Sequence, residues 1–597
     1  MKQAERLIQA LYQQGVEQAF VVTGGAAMFV NEALRISKIR SLATHHEQTA
    51  SMAAEAYFRV TGKVALLSTT AGPGALNALN GVFGAYTDSI PMIIVSGQAR
   101  TSTLRKSQQQ KALRQLGDQE ADVPAIVRPI TKKVFQIGVD SDLESVIAQA
   151  LKIATSGRPG PVWIDFPIDY QSKEIMDFDT FKSEESEEII PSQDLIPIFR
   201  KICEAKRPVF LVGTGLSSHL GREALSKLSI STTFPIQPAW TAIDLVPSTD
   251  SNFAGRPGTV GDRAGGIIQE ASDLIIVLGS SLSLRQIGFN TDSVLGNKVI
   301  QVDIDPTYSF RSDILGLESI THSPLDFIQK FLDYFEKNFW KNHTIDWLMR
   351  CHEVLQGIPQ EPTWSETCLD GINPYAFFSR LPQLVPADSV FACADASASV
   401  MLFQAGKFLP NQRVFTNAGS ASMGYELPAA IGAAVGTNRP IICVAGDGSF
   451  QQNIPELALL RYHKLNIHIV YIDNGGYLSI RSSQKKHFSF SFLESESSGL
   501  PFPNIKEVAI AYGLNYKRYD NLEEIKNMSD PEVPLLSHII VSPSIQFAPK
   551  TGSKISGEGV ITSSTIADLE PFLPRRQIAH LIDYLKDGAG RVYSPLA

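Results

Sequence analysis

Short runs of consecutive apolar residues recur along the chain and alternate with amphipathic stretches and glycine-rich turns. Eight of these runs lie at residues 64–68, 92–97, 161–166, 208–213, 273–279, 298–305, 441–446 and 467–473. Continuous rather than alternating hydrophobicity is typical of strands whose two faces are both covered by helices. The pattern therefore predicts an α/β protein built from doubly wound parallel sheets.

Two changes in composition divide this pattern into units. An acidic, serine-rich stretch covers residues 171–191, and a second segment from about 335 to 364 also has the character of a solvated linker. We predict an N-terminal unit at 1–172, a central unit at 190–335, a third unit at 365–560 and a C-terminal tail at 561–597. At about 150 residues per domain, a chain of 597 residues has room for these parts.

Charge and cysteine content narrow the functional classes. The 53 basic and 61 acidic residues give a net charge of −8 and form no basic stripe, so nucleic acid is not an expected partner. No apolar run approaches the roughly 20 residues that span a bilayer, and the N-terminus has no signal-peptide pattern. The five cysteines occur singly without CxxC spacing, which argues against a disulfide framework or a zinc site. We expect a cytoplasmic protein without a membrane partner.

The most informative stretch runs from residue 441 to 477. One apolar run ends in Gly446-Asp447-Gly448-Ser449, and the next ends in Asp473-Asn474-Gly475-Gly476, followed by Tyr477. The carboxyl ends of neighbouring parallel strands meet at the edge of the sheet where α/β proteins bind ligands. The glycines allow the backbone to approach a diphosphate, and oxygens from Asp447, Asn474 and the main chain near Gly476 suit Mg²⁺. Either turn alone is more often a simple connection between strands, but the two at βαβ spacing favour a binding site.

Other motifs agree with this one. They are HHEQTASMAAEAYFRVTGK (45–63), TTAGPGALNALNGVFGAYTDSIPMIIVSGQ (69–98), GRPGPVWIDFPID (157–169) and GSASMGYELPAAIGAA (419–434). With the GDG and Asn474 signature, the chain resembles the thiamine-diphosphate-dependent enzymes of the pyruvate oxidase and acetohydroxyacid synthase (acetolactate synthase large subunit) branch. The resemblance covers about residues 1–560 and is weakest in the middle unit.

The resemblance implies a fold, a reaction and an assembly. Pyrimidine-binding and diphosphate-binding domains would flank a central Rossmann-like domain, with thiamine diphosphate and Mg²⁺ as cofactors. The reaction would be decarboxylation of a 2-keto acid, for which pyruvate is the expected substrate, and carboligation of the hydroxyethyl unit to a carbonyl acceptor. The cofactor would bridge two chains of a homodimer or homotetramer, and a small regulatory subunit is left open. A 2-keto acid decarboxylase, an oxidase and an inactive cofactor-binding paralogue are the alternatives.

Glu47 is the carboxylate that the resemblance makes catalytic. It would hydrogen-bond the aminopyrimidine ring of the cofactor and drive the tautomer that removes the proton from C2. By itself, a glutamate at this place would more often be a solvated helix start.

Met423 would support the bent cofactor, and the Ala421 carbonyl would accept from its amino group, although Met423 alone would be ordinary core. Further cofactor contacts implied by the resemblance are Pro73, Asn77, Gly446, Gly448, Ser449, Gly476 and Tyr477.

Candidate substrate-binding residues come from positions that match the synthase pattern and from positions that depart from it. Gly25 and Gln119 match catalytic positions, and His46 and Arg285 match substrate positions, for which a satisfied polar residue and a surface arginine are the alternatives. Departures from the synthase pattern include Asp118, Ile168, Ser479 and Ser483, the last two standing where the synthases carry Met and Trp. The acceptor pocket is therefore expected to be larger and more polar, suited to an acceptor such as a keto-sugar. The tail is expected to close over the active site.

The central unit bears on flavin binding. Gly213, Gly215 and Gly258 resemble the turns that hold FAD in the synthases, and Arg158 matches a flavin-side arginine. Ser281-Leu282-Ser283 replaces the arginine-aromatic-aspartate motif of the flavin-binding members, and glycine turns alone are weak signals. The sequence thus leaves FAD open.

Overall fold

Parallel β-sheets form the centres of three α/β units. The computed structural model describes residues 1–104, 113–175, 194–296, 298–340, 344–358, 361, 364, 367–395, 397–528, 534–555 and 561–588. The predicted boundaries near 172–190 and 560, and the end of the tail, lie partly outside the described residues. All eight apolar runs fall on observed strands, which confirms the predicted fold class.

The N-terminal unit contains a six-stranded parallel sheet in the order β2-β1-β3-β4-β6-β5. Its strands are β1 Gln18–Val21, β2 Arg40–Ala43, β3 Leu66–Thr69, β4 Met92–Gln98, β5 Lys133–Gln136 and β6 Pro161–Pro167. Its helices are α1 Gln3–Gln13, α2 Met28–Ile36, α3 Glu47–Thr61, α4 Pro73–Asn77, α5 Leu79–Thr87, α6 Val123–Val127, α7 Leu143–Thr155 and α8 Ile168–Gln171.

The central unit contains a five-stranded parallel sheet in the order β11-β10-β9-β7-β8. Its strands are β7 Pro208–Val212, β8 Ile236–Pro238, β9 Leu274–Leu278, β10 Val299–Asp303 and β11 Glu318–Thr321. Its helices are α9 Ile196–Glu204, α10 His219–Ser231, α11 Arg263–Ala271, α12 Leu284–Ile287, α13 Asp292–Leu295, α14 Pro324–Lys337 and α15 Ile345–Gly357.

The third unit contains a six-stranded parallel sheet in the order β13-β12-β14-β15-β17-β16, the same topology as the first. Its strands are β12 Val390–Cys393, β13 Arg413–Phe415, β14 Ile441–Gly446, β15 Ile467–Asp473, β16 Asn515–Tyr519 and β17 Leu535–Ile540. Its helices are α16 Pro374–Leu384, α17 Ser397–Ala405, α18 Glu426–Gly436, α19 Asp447–Phe450, α20 Leu457–Tyr462, α21 Leu478–Phe488 and α22 Ile505–Ala511.

The C-terminal segment lies mainly against the central unit. Two short antiparallel pairs, β18 Lys550–Thr551 with β21 Leu569–Glu570 and β19 Ser553–Ile555 with β20 Ile561–Ser563, precede α23 Arg575–Asp587. Arg263 of α11 donates to the carbonyls of Leu569 and Pro571, and Leu581 and Leu585 join the hydrophobic core of the central unit. The described part of the tail therefore packs on the central unit, where its apolar side chains are buried, and reaches α21 through an ion pair between Glu570 and Lys486.

The N-terminal and third units share one hydrophobic core, which α3 and α18 build together. A Cβ on Gly432 would lie 2.0 Å from the Ala53 carbonyl oxygen, so only a glycine permits this approach of the two helices. Alanines line the contact on both sides, which lets the two backbones come close together. None of the helices in the described part of the chain is long and apolar enough to cross a membrane.

A buried polar network also joins these two units. Tyr425 donates to Glu55 at 2.5 Å, Arg59 pairs with both Glu55 and Asp88, and Asp88 accepts from the Gly419 N–H at 3.1 Å. Gly419 and Tyr425 flank the loop that carries Ala421 and Met423. The N-terminal unit thus fixes both ends of that loop.

A second buried network joins the central unit to the third. Asp244 accepts from Arg222 at 2.7 Å and from Arg413 of β13 at 2.9 Å. Burial would raise the pKa of Asp244, but Arg222 and Arg413 outweigh it and lower this pKa below the ordinary 3.8. The carboxylate therefore stabilises the fold at neutral pH.

We expect Asp244→Asn to lower the stability at pH 7 by about 3 kcal/mol, roughly 5–10 °C in melting midpoint, because two half-buried arginines lose the buried carboxylate that is their counter-charge. Since the folded pKa is depressed, this contribution is present above the unfolded pKa and is lost as the pH falls through the folded value. Melting curves from pH 7 down to pH 3 should show the wild type approaching the variant. Asp520→Asn, which removes an exposed Arg518 pair, is the control and should change little. An equal gap between wild type and Asp244→Asn at every pH would contradict this assignment.

Candidate active site

The two predicted turns meet at the carboxyl edge of the third sheet. Strand β14 pairs with β15 in parallel, with Gly446 opposite Ile472. The buried Asp447 carboxylate accepts from the Gly448 N–H at 2.7 Å through Oδ1 and from the Asn474 and Gly476 N–H groups at 3.1 and 2.8 Å through Oδ2. One side chain therefore holds both turns in a fixed arrangement.

Oxygen atoms at this edge suit a hard cation. Asn474 Oδ1 is buried and has no hydrogen-bond partner, although a buried acceptor without a partner is costly. Burial raises the pKa of Asp447 to about 7, with a further contribution from the charge of Asp473. Across the described residues, no three His, Cys, Asp or Glu side chains gather as a metal site. One carboxylate, one amide oxygen and turn carbonyls are a donor set that Mg²⁺ accepts, with phosphate and water completing its shell.

The glycines of the two turns differ in what they allow. A Cβ on Gly448 would lie 2.0 Å from Cε1 of Tyr477, and one on Gly476, at φ +128°, would lie 2.1 Å from the Glu494 carbonyl oxygen. Both positions therefore require glycine for packing. A Cβ on Gly446 would meet nothing within 4 Å, so the space beside that residue is open to a ligand.

Ser449 joins the Asp447 turn to the loop that precedes α18. Its hydroxyl accepts from the Gly424 N–H at 2.8 Å and donates to Glu426 Oε2 at 2.7 Å. Ala421 is exposed at φ +55°, and Met423 is half-buried and lies outside the hydrophobic clusters. Both residues predicted to contact the cofactor thus belong to a loop anchored on Ser449 of the Gly446–Ser449 turn.

Glu47 is the first residue of α3, and His46 caps that helix by accepting from the Gln48 N–H at 3.0 Å. The Glu47 side chain is 7% exposed, so it is not a solvated helix start. Its Oε2 accepts from Asn77 Nδ2 at 3.0 Å, and its Oε1 faces Gly74, where a Cβ would be 3.1 Å away. The structure thereby brings together Glu47 and the helix α4 that contains Pro73 and Asn77.

The N-terminal substrate candidates lie at the open edge of this unit. Gln119 is exposed at φ +61°, and its carbonyl oxygen would lie 2.2 Å from a Cβ on Gly72, the residue before Pro73. Gln119 is therefore a neighbour of the Glu47 pocket. Gly25 is exposed, and a Cβ on it would meet nothing within 4 Å, whereas its neighbour Gly24 packs on Thr70.

The other substrate candidates are divided between two units. Ser479 and Ser483 lie four residues apart on one face of α21, with Ser479 half-buried and Ser483 exposed. Arg285 is half-buried in the central unit and stacks on Trp240, 4.7 Å from its ring centroid. The structure therefore gives Arg285 an aromatic partner and does not leave it as a freely solvated arginine.

The flavin candidates lie at the carboxyl edge of the central sheet. Strands β7 and β9 are the neighbours where the strand order reverses, which is the place where such sheets bind nucleotides. Cβ atoms on Gly213 and Gly215 would lie 2.3 and 2.8 Å from backbone atoms of Gly279, so the two loops pack closely there. Gly258, at φ +150°, lies beside the Arg285 carbonyl.

Arg158 connects two units. It donates to Ser89 Oγ at 2.8 Å and pairs with Asp305 of the central unit at 3.1 Å. Its guanidinium also lies over the Tyr308 ring, at 5.8 Å from the centroid. The residue thus already has partners from both units.

Three positioning residues were not singled out from the sequence. Asn453 donates to the Gly424 carbonyl at 2.6 Å, and Glu456 accepts from the backbone N–H groups of His45 and His46 at 3.1 Å. His538 pairs with Asp473, the residue before Asn474, at 2.8 Å. Asn453 and Glu456 lie just after the GDGS motif, but their partners come from distant segments, and only that proximity to the motif could have indicated them.

Comparison with known proteins agrees with this geometry. The thiamine pyrophosphate enzyme models match in three parts: the N-terminal TPP binding domain at residues 1–121, the central domain at 197–313 and the C-terminal TPP binding domain at 395–530. The chain therefore belongs to the thiamine pyrophosphate enzyme family.

Within that family the chain is similar to acetolactate synthase large subunits. It is 28% identical over 549 residues to the isozyme 2 large subunit of Escherichia coli, covering 91% of this chain and 96% of the relative. It is 27% identical over 578 residues to the large subunit of Lactococcus lactis, covering 94% and 96%. It is 28% identical over 593 residues to chloroplastic acetolactate synthase 1 of Nicotiana tabacum, covering 94% and 85%. The chain is thus a thiamine-pyrophosphate-dependent enzyme of the acetolactate synthase type.

Proposed function

We propose that the chain uses thiamine diphosphate and Mg²⁺ to decarboxylate pyruvate and to transfer the remaining two-carbon unit to a carbonyl acceptor. The observation that carries the proposal is the edge at Asp447 and Asn474, where fixed oxygens, one of them buried without a partner, face an open glycine turn. When bound, thiamine diphosphate would supply a carbanion that adds to the keto carbon and a thiazolium ring that takes up the electron pair left behind by departing CO₂.

The residues of the third unit would hold the metal and diphosphate. Asp447, Asn474 and the Gly476 carbonyl would coordinate Mg²⁺, and the backbone around Gly446 and Gly448 would approach the diphosphate. Ser449 and Tyr477 complete this set, and Ala421 and Met423 would contact the ring system. Backbone N–H groups and one metal ion supply the positive field, which a chain of net charge −8 does not provide by itself.

Glu47 would share a proton with a ring nitrogen of the cofactor. Asn77 occupies one carboxylate oxygen at 3.0 Å and fixes the side-chain orientation, which leaves the other oxygen for the cofactor. Gly25, Gln119 and His46, all exposed beside this pocket, would contact substrate. Glu47, which is itself buried, would then hold and move one proton.

The proposal is tested by incubating the protein with pyruvate, thiamine diphosphate and Mg²⁺ and identifying the products by mass spectrometry. Consumption of pyruvate with a new carbon–carbon bond to the acceptor is the expected result. Acetaldehyde as the only product would replace carboligation by simple decarboxylation, and oxygen-dependent consumption would indicate an oxidase. No consumption with any acceptor would favour the inactive paralogue.

A homodimer is proposed because α4 and α5 carry an unpaired apolar stripe beside Asn77. Leu76, Phe83 and Tyr86 are exposed and lie on one side of these helices. A second copy seated there would cover this surface next to Glu47. One chain would then supply Glu47, and the other would supply the edge at Asp447 and Asn474, here called the metal edge. A tetramer of two such dimers is compatible with the same contact.

We expect Phe83→Arg to convert the dimer to monomers and to abolish cofactor-dependent activity, because a charge would be buried in the apolar contact. Size-exclusion chromatography with light scattering measures the mass. Phe310→Arg, at a residue 82% exposed in the central unit, is the control and should leave the mass unchanged. An intact, active Phe83→Arg dimer would place the interface elsewhere.

The acceptor is proposed to be larger than pyruvate, for example a keto-sugar, because Ser479 and Ser483 leave one face of α21 small and polar. We expect Ser483→Trp to narrow the acceptor range, reducing kcat/KM for bulky acceptors by about tenfold and for pyruvate as acceptor by little. Competition assays with paired acceptors measure this ratio. A parallel loss for all acceptors, or acetolactate as the only wild-type product, would contradict the pocket assignment.

A flavin nucleotide is a second proposal, confined to the central unit. It is supported by the strand-order reversal at β7 and β9 with glycine loops at Gly213, Gly215 and Gly258, and Arg158 lies near that side of the unit. Flavin absorbance of the purified protein, and flavin fluorescence released on denaturation, are the expected signs. A colourless protein that does not take up added FAD would remove this proposal.

A further inference from the structure

We infer that the C-terminal turn of α21 and the loop after it bind the diphosphate and the aromatic base of a nucleoside-diphosphate-linked acceptor. The inference rests on the proposed function, since it names the class of acceptor for that site. We call this surface the acceptor-docking surface and define it by Lys485, Lys486, Phe488, Phe490, Phe492 and Lys550.

The surface begins at the metal edge. Helix α21 starts at Leu478, directly after Tyr477, and Lys485 lies about 10 Å further along the helix axis. Ser479, Ser483 and Lys486 follow one another on the same helix face, at spacings of four and three residues. An elongated acceptor whose carbonyl reaches the cofactor would therefore extend along this face toward Lys486.

Three phenylalanines present their rings to solvent within five residues. Phe488, Phe490 and Phe492 are 66%, 51% and 61% exposed, and the first two rings lie 5.7 Å apart. Exposed aromatic residues concentrated in this way mark a binding surface more often than an ordinary solvated loop. Aromatic rings on an open surface are suited to stacking against a nucleobase.

The loop that carries the rings is held in place. Gln484 donates to the Phe492 carbonyl at 3.0 Å and accepts from the Phe492 N–H at 2.8 Å. Arg481 pairs with the buried Glu494 at 2.6 Å and donates to the Gly475 carbonyl at 2.7 Å. Hydrogen bonds and an ion pair thus join the aromatic loop both to α21 and to the turn at Gly475. These contacts hold the backbone that carries the rings.

Positive charge lies beside the rings. Lys485, Lys486 and His487 form the last turn of α21, and Lys550 lies near Lys486, with its ammonium 4.6 Å from the Phe547 ring centroid. Glu570 pairs with Lys486 at 3.1 Å and also acts on Lys550. Burial and then the charge of Lys486 lower the pKa of Lys550, and the charge of Glu570 opposes this effect. A diphosphate would supply further negative charge.

The combination of basic and aromatic groups selects the occupant. A second copy of the chain would have to place acidic groups and an apolar face together here, whereas a nucleoside-diphosphate-linked acceptor carries both the two negative charges of its diphosphate diester and a flat ring. A sugar phosphate would use the lysines but leave the phenylalanines uncovered. The three occupants, a nucleotide, a sugar phosphate and a second copy, are therefore distinguished by which side chains contribute to their binding.

The test measures ligand binding to the enzyme saturated with thiamine diphosphate and Mg²⁺, so that the cofactor site is already filled. Isothermal titration with UDP, CDP, GDP, ADP and dTDP is compared with inorganic pyrophosphate, fructose 6-phosphate and the free nucleosides. We expect at least one nucleoside diphosphate to bind once per chain and more tightly than pyrophosphate or its own nucleoside. Thermal melting of every variant checks its fold.

Two sets of substitutions separate the charge from the rings. The double variant Lys485→Ala and Lys486→Ala should raise the Kd of the nucleoside diphosphate and of pyrophosphate by about tenfold each. The double variant Phe490→Ala and Phe492→Ala should raise the Kd of the nucleoside diphosphate by about tenfold and leave pyrophosphate unchanged. Lys506→Ala and Phe310→Ala are exposed controls and should change neither value.

Three results would overturn the inference: no nucleoside diphosphate binds the wild type, the surface variants bind as the wild type does, or fructose 6-phosphate binds as tightly as the best nucleotide. A change of oligomeric mass in the phenylalanine variant without a change in nucleotide Kd would assign the surface to a second copy and would also overturn it. Failure of the proposed function is a separate result, because nucleotide binding is measured without turnover. A protein that binds the nucleotide at this surface but consumes no pyruvate would reject the reaction and support the surface as a nucleotide site.

Discussion

Glu47→Gln is expected to slow pyruvate consumption by at least about a hundredfold while thiamine diphosphate and Mg²⁺ still bind. Glutamine has the size of glutamate and can still accept from Asn77, so the pocket keeps its shape. The variant loses the ability to share a proton with the cofactor ring, and general acid–base groups of this kind typically contribute roughly 10²–10⁴-fold. Steady-state pyruvate consumption and a cofactor titration measure the two quantities separately.

The contrast between the two measurements makes the test specific. If the role of Glu47 were only structural, the substitution would lower cofactor affinity and the melting midpoint together, since the side chain is buried at the start of α3. Glu223→Gln, on the solvent side of α10, is the matched control and should change neither activity nor affinity. Equal rates for wild type and Glu47→Gln would remove Glu47 from the mechanism.

Asn474→Leu is expected to produce opposite effects on stability and on metal binding. In the absence of Mg²⁺, leucine removes a buried oxygen that has no partner, and such an oxygen costs about 1–3 kcal/mol. The melting midpoint of the metal-free variant should therefore equal or exceed that of the wild type. The backbone N–H of residue 474 still donates to Asp447, so the turn is retained.

Magnesium binding should fall in the same variant. If the amide oxygen coordinates Mg²⁺, its loss should weaken the affinity by at least roughly a hundredfold, the upper end of what loss of a supporting contact costs. At a ligand concentration of about 100 Kd the wild type gains about 2.7 kcal/mol from binding, and the variant should gain almost none. Melting with and without Mg²⁺ and thiamine diphosphate measures this, and EDTA should remove the wild-type gain reversibly.

The control and the contrary outcomes are simple to separate. Asn466→Leu replaces an exposed asparagine before β15 and should leave the magnesium response unchanged. An Asn474→Leu protein that is stabilised by Mg²⁺ as strongly as the wild type would show that the amide oxygen is not a ligand. A metal-free variant far less stable than the wild type would show that this oxygen has a structural partner.

The local sequence was sufficient to predict the strands and the positions of the two turns of the third unit. The apolar runs at 441–446 and 467–473 became β14 and β15 because a strand buried on both faces needs apolar residues at every position. Gly446 and Gly448 were predicted to let the backbone approach a diphosphate; the structure leaves the space beside Gly446 open, whereas a Cβ on Gly448 would strike Tyr477. The roles of the site residues remain predictions.

Other features depend on contacts that are distant along the chain. The Asn77 contact to Glu47, the Glu456 contact to the backbone of His45 and His46, and the unpartnered oxygen of Asn474 follow from folding and leave no local pattern. The described tail packs on the central unit because its apolar side chains join that core, and Glu570 pairs with Lys486 of α21, whereas closure of the tail over the active site stays a prediction.

The sequence by itself determined the α/β class, the parallel strands and the chemistry of the Asp447 and Asn474 turns, because each of these is written in residues close together along the chain. The tertiary structure decided which carboxylates are buried, which oxygens lack partners and where the basic and aromatic groups of α21 lie relative to the metal edge. These properties depend on the packing of three units against one another, and hydrophobic pattern and motif spacing do not specify that packing.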